Sequence, residues 1–254
     1  MKMVSLKFSK EIKDLIYVII VLGIIFGFND GGSGFAFSNW ISNFISTLIL
    51  VCIVVLTFFV GIKLSSILFN YSVEFSVWRL RHYFFSTKAK FPMNFRFFGL
   101  RFNLNNLHFG TILSLFLTLI SNGLFYFTSI FTFSAKDQKK IGKDKVYLKD
   151  FTEMGISLIS LFLVLFLIIV FKIIGIERGV IVGSWFIIWS LIPFGPLIGA
   201  KIFFGSRTLY IGTVAFMILF LSIVSAIPFI LSLLIAVLFA FIILIVYFLK
   251  IEYS

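Results

Sequence analysis

From Leu209 to Leu249 the chain runs 41 residues without a charged side chain. At about 1.5 Å per residue, one helix of that length is roughly twice as long as the hydrocarbon core of a bilayer is thick. A soluble fold cannot hide such a segment, and near Pro228 it is expected to divide into two spans, a long kinked helix being the alternative. The remainder has the same character: hydrophobic residues make up 61% of 254 positions and charged residues 13%, with a mean hydropathy of +1.14. This places the whole chain among polytopic membrane proteins, with no soluble domain left over. The formal net charge of +12 belongs first to cytoplasmic loops in a protein of this kind. The lipid bilayer, and not nucleic acid, is therefore the expected counter-surface. Cys52 is the single cysteine, which leaves neither a disulfide framework nor a cysteine metal site.

In chain order, Lys2, Lys7, Lys10 and Lys13 precede a first span at 12–28, followed by the outer loop 29–34. A second helix is expected from Phe44 to Phe69, with Lys63 snorkelling or facing the bundle. No breaker is evident after it, so the same helix is expected to run on through Asn70 to Tyr83 and to end in basic residues on the cytoplasmic side. The stretch 91–106, around Pro92 and Gly99, reads as an interfacial or hairpin-forming segment on the membrane surface. Thr111 to Phe133 is apolar but interrupted at Ser121-Asn122-Gly123. The six lysines between Lys136 and Lys149 fall on the cytoplasmic side only if that segment is re-entrant. A span at 151–171, an outer turn at 172–179 and a returning helix ending at Pro193 complete the pattern. The expected fold class is all-α, a polytopic membrane protein of about six transmembrane helices plus one re-entrant element. It forms one domain over 1–254, with a cytoplasmic N-terminus in the cell membrane. Trp40, Trp78 and Tyr210 are expected in the aromatic belt.

Between Leu191 and Lys201 two prolines and two glycines break an apolar segment, Pro193-Phe194-Gly195-Pro196-Leu197-Ile198-Gly199-Ala200-Lys201. Irregular backbone at bilayer depth survives only where protein or a wet cavity covers it. This stretch resembles the N-x-x-P-x-x-P-L-D-G-x-K element of the site-2 protease class of intramembrane zinc metalloproteases, especially its short archaeal members. The likeness extends over 11–210, leaving 209–250 as a C-terminal helical hairpin. Glu11-Ile12-Lys13-Asp14-Leu15 is similar to the family's opening cluster, Gly123 to Ile130 to its membrane-edge, substrate-guiding hairpin, and Lys140-Ile141-Gly142-Lys143 to its Gly-Lys loop.

The family's H-E-x-x-H helix is matched by Val73-Glu74-Phe75-Ser76-Val77, which keeps only Glu74. Ile198 stands where the resemblance implies an aspartate ligand, and Glu153 to Leu158 lacks the amide of the family's A-G-P-x-x-N element. A zincin helix needs two imidazoles four residues apart. The resemblance therefore implies a pseudoprotease without metal or cofactor, with Val73, Glu74, Val77 and Ile198 as degenerate site positions. Its remaining role would be to bind a transmembrane helix of a partner or client along Gly123, Phe125, Phe127, Pro193, Gly195, Pro196, Gly199 and Lys201. A structural subunit of a larger membrane complex is the alternative; a small transporter or an active intramembrane protease are further ones. His82 and His108 read as interfacial aromatics. Glu74 is expected to pair with Arg81 two helical turns on or with a neighbouring lysine, or to serve as a vestigial, partner-binding carboxylate.

Overall fold

The computed structural model describes residues 2–29, 36–79, 94–97, 100–103, 108–137, 146–224 and 226–252, and most of them are helical. Helix α1 (Lys2–Gly27) and helix α2 (Phe37–Leu68) run antiparallel. At one end the Asn43 side-chain amide donates to Gly27 O and Asn29 O, both at 3.3 Å; at the other, Lys63 meets Glu11. Helices α4 (Val146–Ile174), α5 (Glu177–Ser190), α6 (Ile198–Gly205), α7 (Arg207–Ile223) and α8 (Phe229–Glu252) follow, with the short α3 (Phe109–Ile120) between the strands. Among the described residues three helical stretches are long and apolar enough to cross a membrane: Phe37–Leu68, Lys149–Ile174 and Phe229–Lys250. Helices α3 and α7 are apolar but shorter. The charge-free run divides at 224–228, next to Pro228 as expected.

Lipid offers helices no hydrophobic drive to associate, so close approach through small residues has to supply it. Helix α2 meets α4 at Gly61, where an added Cβ would stand 2.9 Å from Ser160 Cα. The buried Ser157 and Ser160 hydroxyls fold back onto Glu153 O and Ile156 O, each at 2.7 Å. Helix α8 packs chiefly on α7, turning Ser232, Ala236 and Ala240 inward and its large side chains outward.

The expected continuation of α2 to Tyr83 is corrected by the structure. The helix stops at Leu68, and Asn70 takes φ +57°, a left-handed conformation that asparagine tolerates better than other non-glycine residues. Tyr71-Ser-Val-Glu-Phe-Ser-Val then alternates apolar and polar with period two and forms strand β1 (Tyr71–Val77). It pairs antiparallel with β4 (Phe131–Asp137), with Val73 opposite Ala135, Phe75 opposite Phe133 and Val77 opposite Phe131. Trp78 N extends the ladder by donating to Ile130 O at 2.8 Å. A second two-stranded sheet joins β2 (Asn94–Phe97) to β3 (Leu100–Asn103). The fold is thus mostly helical, as expected, with two small two-stranded sheets where alternation outweighed helix propensity.

One face of the β1–β4 sheet is core. Phe131 lies 5.3 Å from Phe58 and 5.3 Å from Phe75 between ring centroids, and 5.4 Å from Phe186, so rings from α2, β1, β4 and α5 form one cluster. The other face carries Ser72, Glu74, Ser76 and Ser134. Trp78, expected in the belt, is buried and packs edge-on against Phe109 at 5.4 Å.

A two-stranded sheet leaves a row of unpaired backbone groups on each outer edge, and here ion pairs seal both. On the β1 side, Phe75 N donates to Glu11 Oε1 at 3.1 Å, and Lys63 Nζ donates to Val73 O and to Glu11 Oε2, both at 2.8 Å. On the β4 side, Ala135 N donates to Glu153 Oε1 at 3.0 Å, while the Lys201 ammonium sits on Glu153 Oε2. Lys63→Met is expected to cost about 1–2 kcal/mol, below the usual loss for a broken buried pair, because its side chain stays 33% exposed and is partly screened. Unfolding in mixed detergent measures it, and an unchanged midpoint would mean that the seal contributes nothing.

The segment 111–133 turns back on itself. Helix α3 begins with His108 against Tyr17, ring centroids 5.1 Å apart, and ends where Asn29 Nδ2 donates to Asn122 O at 3.1 Å. It therefore runs alongside the second half of α1. Asn122 (φ +52°) and Gly123 (φ +73°) reverse the chain, and 124–130 returns as an extended limb. At its end the limb passes the start of α3, where a Cβ on Gly110 would stand 3.0 Å from Ile130 Cα.

Candidate functional site

Helix α5 ends ahead of Pro193, which cannot donate a backbone hydrogen bond. Seven residues, 191–197, separate α5 from α6, which begins at Ile198, so the irregular stretch is shorter than the 193–201 expected. Breaking a helix in an apolar setting frees carbonyls that need donors. Tyr210 OH reaches Leu191 O at 3.1 Å and Thr132 Oγ1 reaches Pro196 O at 2.6 Å. Along α5, Ser129 Oγ donates to Trp189 O at 2.8 Å and Thr128 Oγ1 to Trp185 O at 3.3 Å. The return limb is thereby fastened to the broken helix by its hydroxyls.

Gly195 turns the chain at φ +56°. Gly199 has a different reason to be glycine: a Cβ there would lie 2.6 Å from Ile192 O and closer still to the Leu191 carbonyl. Lys201 lies one turn behind the break. Its ammonium is held by Glu153 and stands 4.4 Å above the Phe133 ring, which makes it a cation of the sheet edge.

Of the residues expected to bind, Phe125 and Phe127 both meet Trp189 at the end of α5, with centroids 5.2 and 4.6 Å away. Phe127 and Leu197 share a small core with Trp78. Pro193 and Phe194 are exposed beside them, as is Leu124 at the head of the limb. Gly123 is not part of this group: it packs at the far tip against Phe28 and Asn29, each 2.9 Å from where its Cβ would be. The structure therefore assembles Phe125, Phe127, Pro193, Gly195, Pro196 and Gly199 around one break, assigns Lys201 to the neighbouring ion pair and leaves Gly123 apart.

Val73, Val77 and Ile198 are all buried in the main core, but the first two cannot correspond to a pair of helical ligands. Four residues along a strand span about 13 Å, against about 6 Å along a helix face, so side chains at 73 and 77 do not meet one metal ion. Glu74 lies opposite Ser134 on the polar face of the sheet, and no helical turn carries it to Arg81. Arg81, His82 and Lys140 to Lys143 lie outside the described residues. Among the described residues no three His, Cys, Asp or Glu side chains gather where they could hold one metal ion.

Two features went unread in the sequence. The edge acids Glu11 and Glu153 sit in the sequence inside longer motifs, and the signal that could have marked them is that an acid and a lysine, each isolated in an apolar segment, call for a partner. The second is the backbone of the limb. Leu124 N and Phe125 N bond back to Ser121, both at 3.1 Å, and Ile130 N donates to Thr128 O at 2.8 Å. The amides of Tyr126, Phe127, Thr128 and Ser129 donate to no group among the described residues. No protein-family model, curated protein or solved structure matches the chain.

Proposed function

We propose that this chain is a non-catalytic, site-2-protease-like membrane protein that holds a transmembrane segment of a partner or client beside its return limb, next to the broken helix. The observation that carries this reading is the limb. Extended backbone with successive unbonded amides is costly in an apolar medium, and a segment laid alongside it as a further strand would supply the missing acceptors. Access exists at the exposed Leu124 and the half-buried Phe125 and Tyr126, next to exposed Pro193 and Phe194. The likeness of Pro193 to Lys201 to the protease element supports the family reading, and so does the retained need for glycine at 199.

The absence of catalysis rests on the sequence. It contains two histidines, His82 and His108, so no imidazole pair at helical spacing exists under any alignment. On α2, the buried positions four apart nearest the sheet are Ile62 and Ser66, which are not zinc ligands either. In this reading α1, α2, α4, α5 continued by α6, α7 and α8 make the six crossings, with the N-terminus cytoplasmic.

A photo-crosslinker placed at Leu124 or Phe194 in native membranes tests the proposal, with Phe248 on the outer face of α8 as the lipid-facing control. Crosslinks to transmembrane segments are expected from the first two sites and not from the third. A single stoichiometric partner would indicate a fixed complex subunit, and several partners a client-binding role. Yields at Leu124 and Phe194 no higher than at Phe248 would sink both.

A further inference from the structure

Helix α3 has 12 residues, a length at which an isolated helix is marginal, so its position depends on what it packs against. Its outward side chains Ile112, Phe116, Leu119 and Ile120 are exposed. On the inward side Thr111 Oγ1 and Ser114 Oγ are buried and find no hydrogen-bond partner among the described residues, a burial that opposes docking. Rings seat the start of the helix: His108 lies 5.1 Å from Tyr17 of α1, and Phe109 meets Trp78 at 5.4 Å. His108 is also the N-cap of α3, and its side chain makes no capping bond. The charged or titratable groups that act on it are Asp14 and Tyr17 from α1 and Arg79 from the chain just after β1.

We infer that His108 is a pH-sensitive release for α3: when its imidazole takes a proton from solvent, the first turn of the helix loosens from α1 and, through Gly110, from the return limb. An imidazolium at the N-cap faces the positive end of the helix dipole, which disfavours it. Its half-buried setting disfavours the charge as well. Burial, and then the Arg79 guanidinium, hold the imidazole below its ordinary range. Asp14, whose Oδ2 is buried without a hydrogen-bond partner among the described residues, pulls the other way and does not outweigh them. A group that binds its proton more weakly when docked than when released favours release as it gains that proton. Docking is therefore at full strength above about pH 6.5, where an ordinary imidazole is neutral, and weakens as the pH falls through that value. The limb feels the change at Gly110, where an added Cβ would stand 3.0 Å from Ile130 Cα. The release is independent of the proposed client site, since α3 responds whether or not a guest lies beside the limb.

The test uses the full chain in phosphatidylcholine nanodiscs, with nitroxides on Ile20→Cys of α1 and Phe116→Cys of α3 in a Cys52→Ser background. Pulsed electron spin resonance reads the distance between the labels at about pH 7.5 and about pH 5.5, on either side of the imidazole range. Acidification is expected to raise the ratio of a longer distance to the docked one roughly two- to fivefold, the effect of one charge at a helix N-terminus. His108→Gln is expected to abolish the response, whereas His82→Gln, which replaces the other histidine, leaves it intact. Asp14→Asn should enlarge the response and Arg79→Gln should shrink it, changes that a merely structural His108 would not produce. A distance distribution in the parent that does not change with pH overturns the inference, as does a response that survives His108→Gln or is lost in His82→Gln. Should His108→Gln fail to fold, the opposite changes in Asp14→Asn and Arg79→Gln decide, and a response that neither variant alters overturns the inference as well.

Discussion

Gly199→Ala is expected to be the most damaging alanine substitution among the described glycines, costing at least about 3 kcal/mol. The added carbon would press on the Leu191 carbonyl and come within 2.6 Å of Ile192 O, and a backbone oxygen cannot swing aside as a side chain can. Nor can the strand of chain carrying it retreat, because Tyr210 OH holds Leu191 O at 3.1 Å and Ala200 and Ile202 are buried next to Gly199. Gly195→Ala provides the scale. Its left-handed φ of +56° is worth about 1–2 kcal/mol. Thermal unfolding in detergent should rank parent, Gly195→Ala and Gly199→Ala in that order. A Gly199→Ala protein that melts with the parent would show that α5 and α6 do not meet as described.

Lys201→Met is expected to cost about 3–5 kcal/mol, because it removes the cation and leaves a buried carboxylate uncompensated. The two side chains are only 12% and 11% exposed, so water does little to relieve the remaining charge. The informative comparison is the double variant Lys201→Met/Glu153→Gln. Glutamine retains an oxygen for Ala135 N, which lies 3.0 Å from Glu153 Oε1, while the stranded charge is gone. The double variant should therefore be more stable than Lys201→Met alone, with a coupling of a few kcal/mol in a double-mutant cycle. Strictly additive losses would mean that the two groups do not act as a pair.

The helical part of this architecture was legible because its signals are local. The charge-free run, Pro228 and the break at Pro193 place α7, α8 and the end of α5 within a few residues. The sheet was not read, although Tyr71 to Val77 alternates cleanly, because a single strand's alternation competes with the expectation of an uninterrupted helix and nothing local reveals its partner 60 residues on. Asn70 was the missed breaker, since asparagine signals a left-handed turn far less insistently than glycine or proline. At the candidate site, the aromatic residues of the limb and the prolines and glycines of the break were identified and do come together. Lys201 was misassigned because its partner, Glu153, lies on another helix. Gly123 was misplaced because the length of the limb, and so the distance of the tip from the break, depends on where α3 gives way to extended chain.

The sealed edges of the β1–β4 sheet restrict how it could ever admit another chain. With Glu11 and Lys63 occupying one margin and Glu153 and Lys201 the other, no incoming strand can flank it in the way that edge-to-edge aggregation or conventional augmentation requires. Among the described residues the ladder ends at the Trp78–Ile130 rung, and the limb continues from there. Under the proposed function, a guest segment would therefore lie alongside the limb and lengthen the sheet instead of widening it.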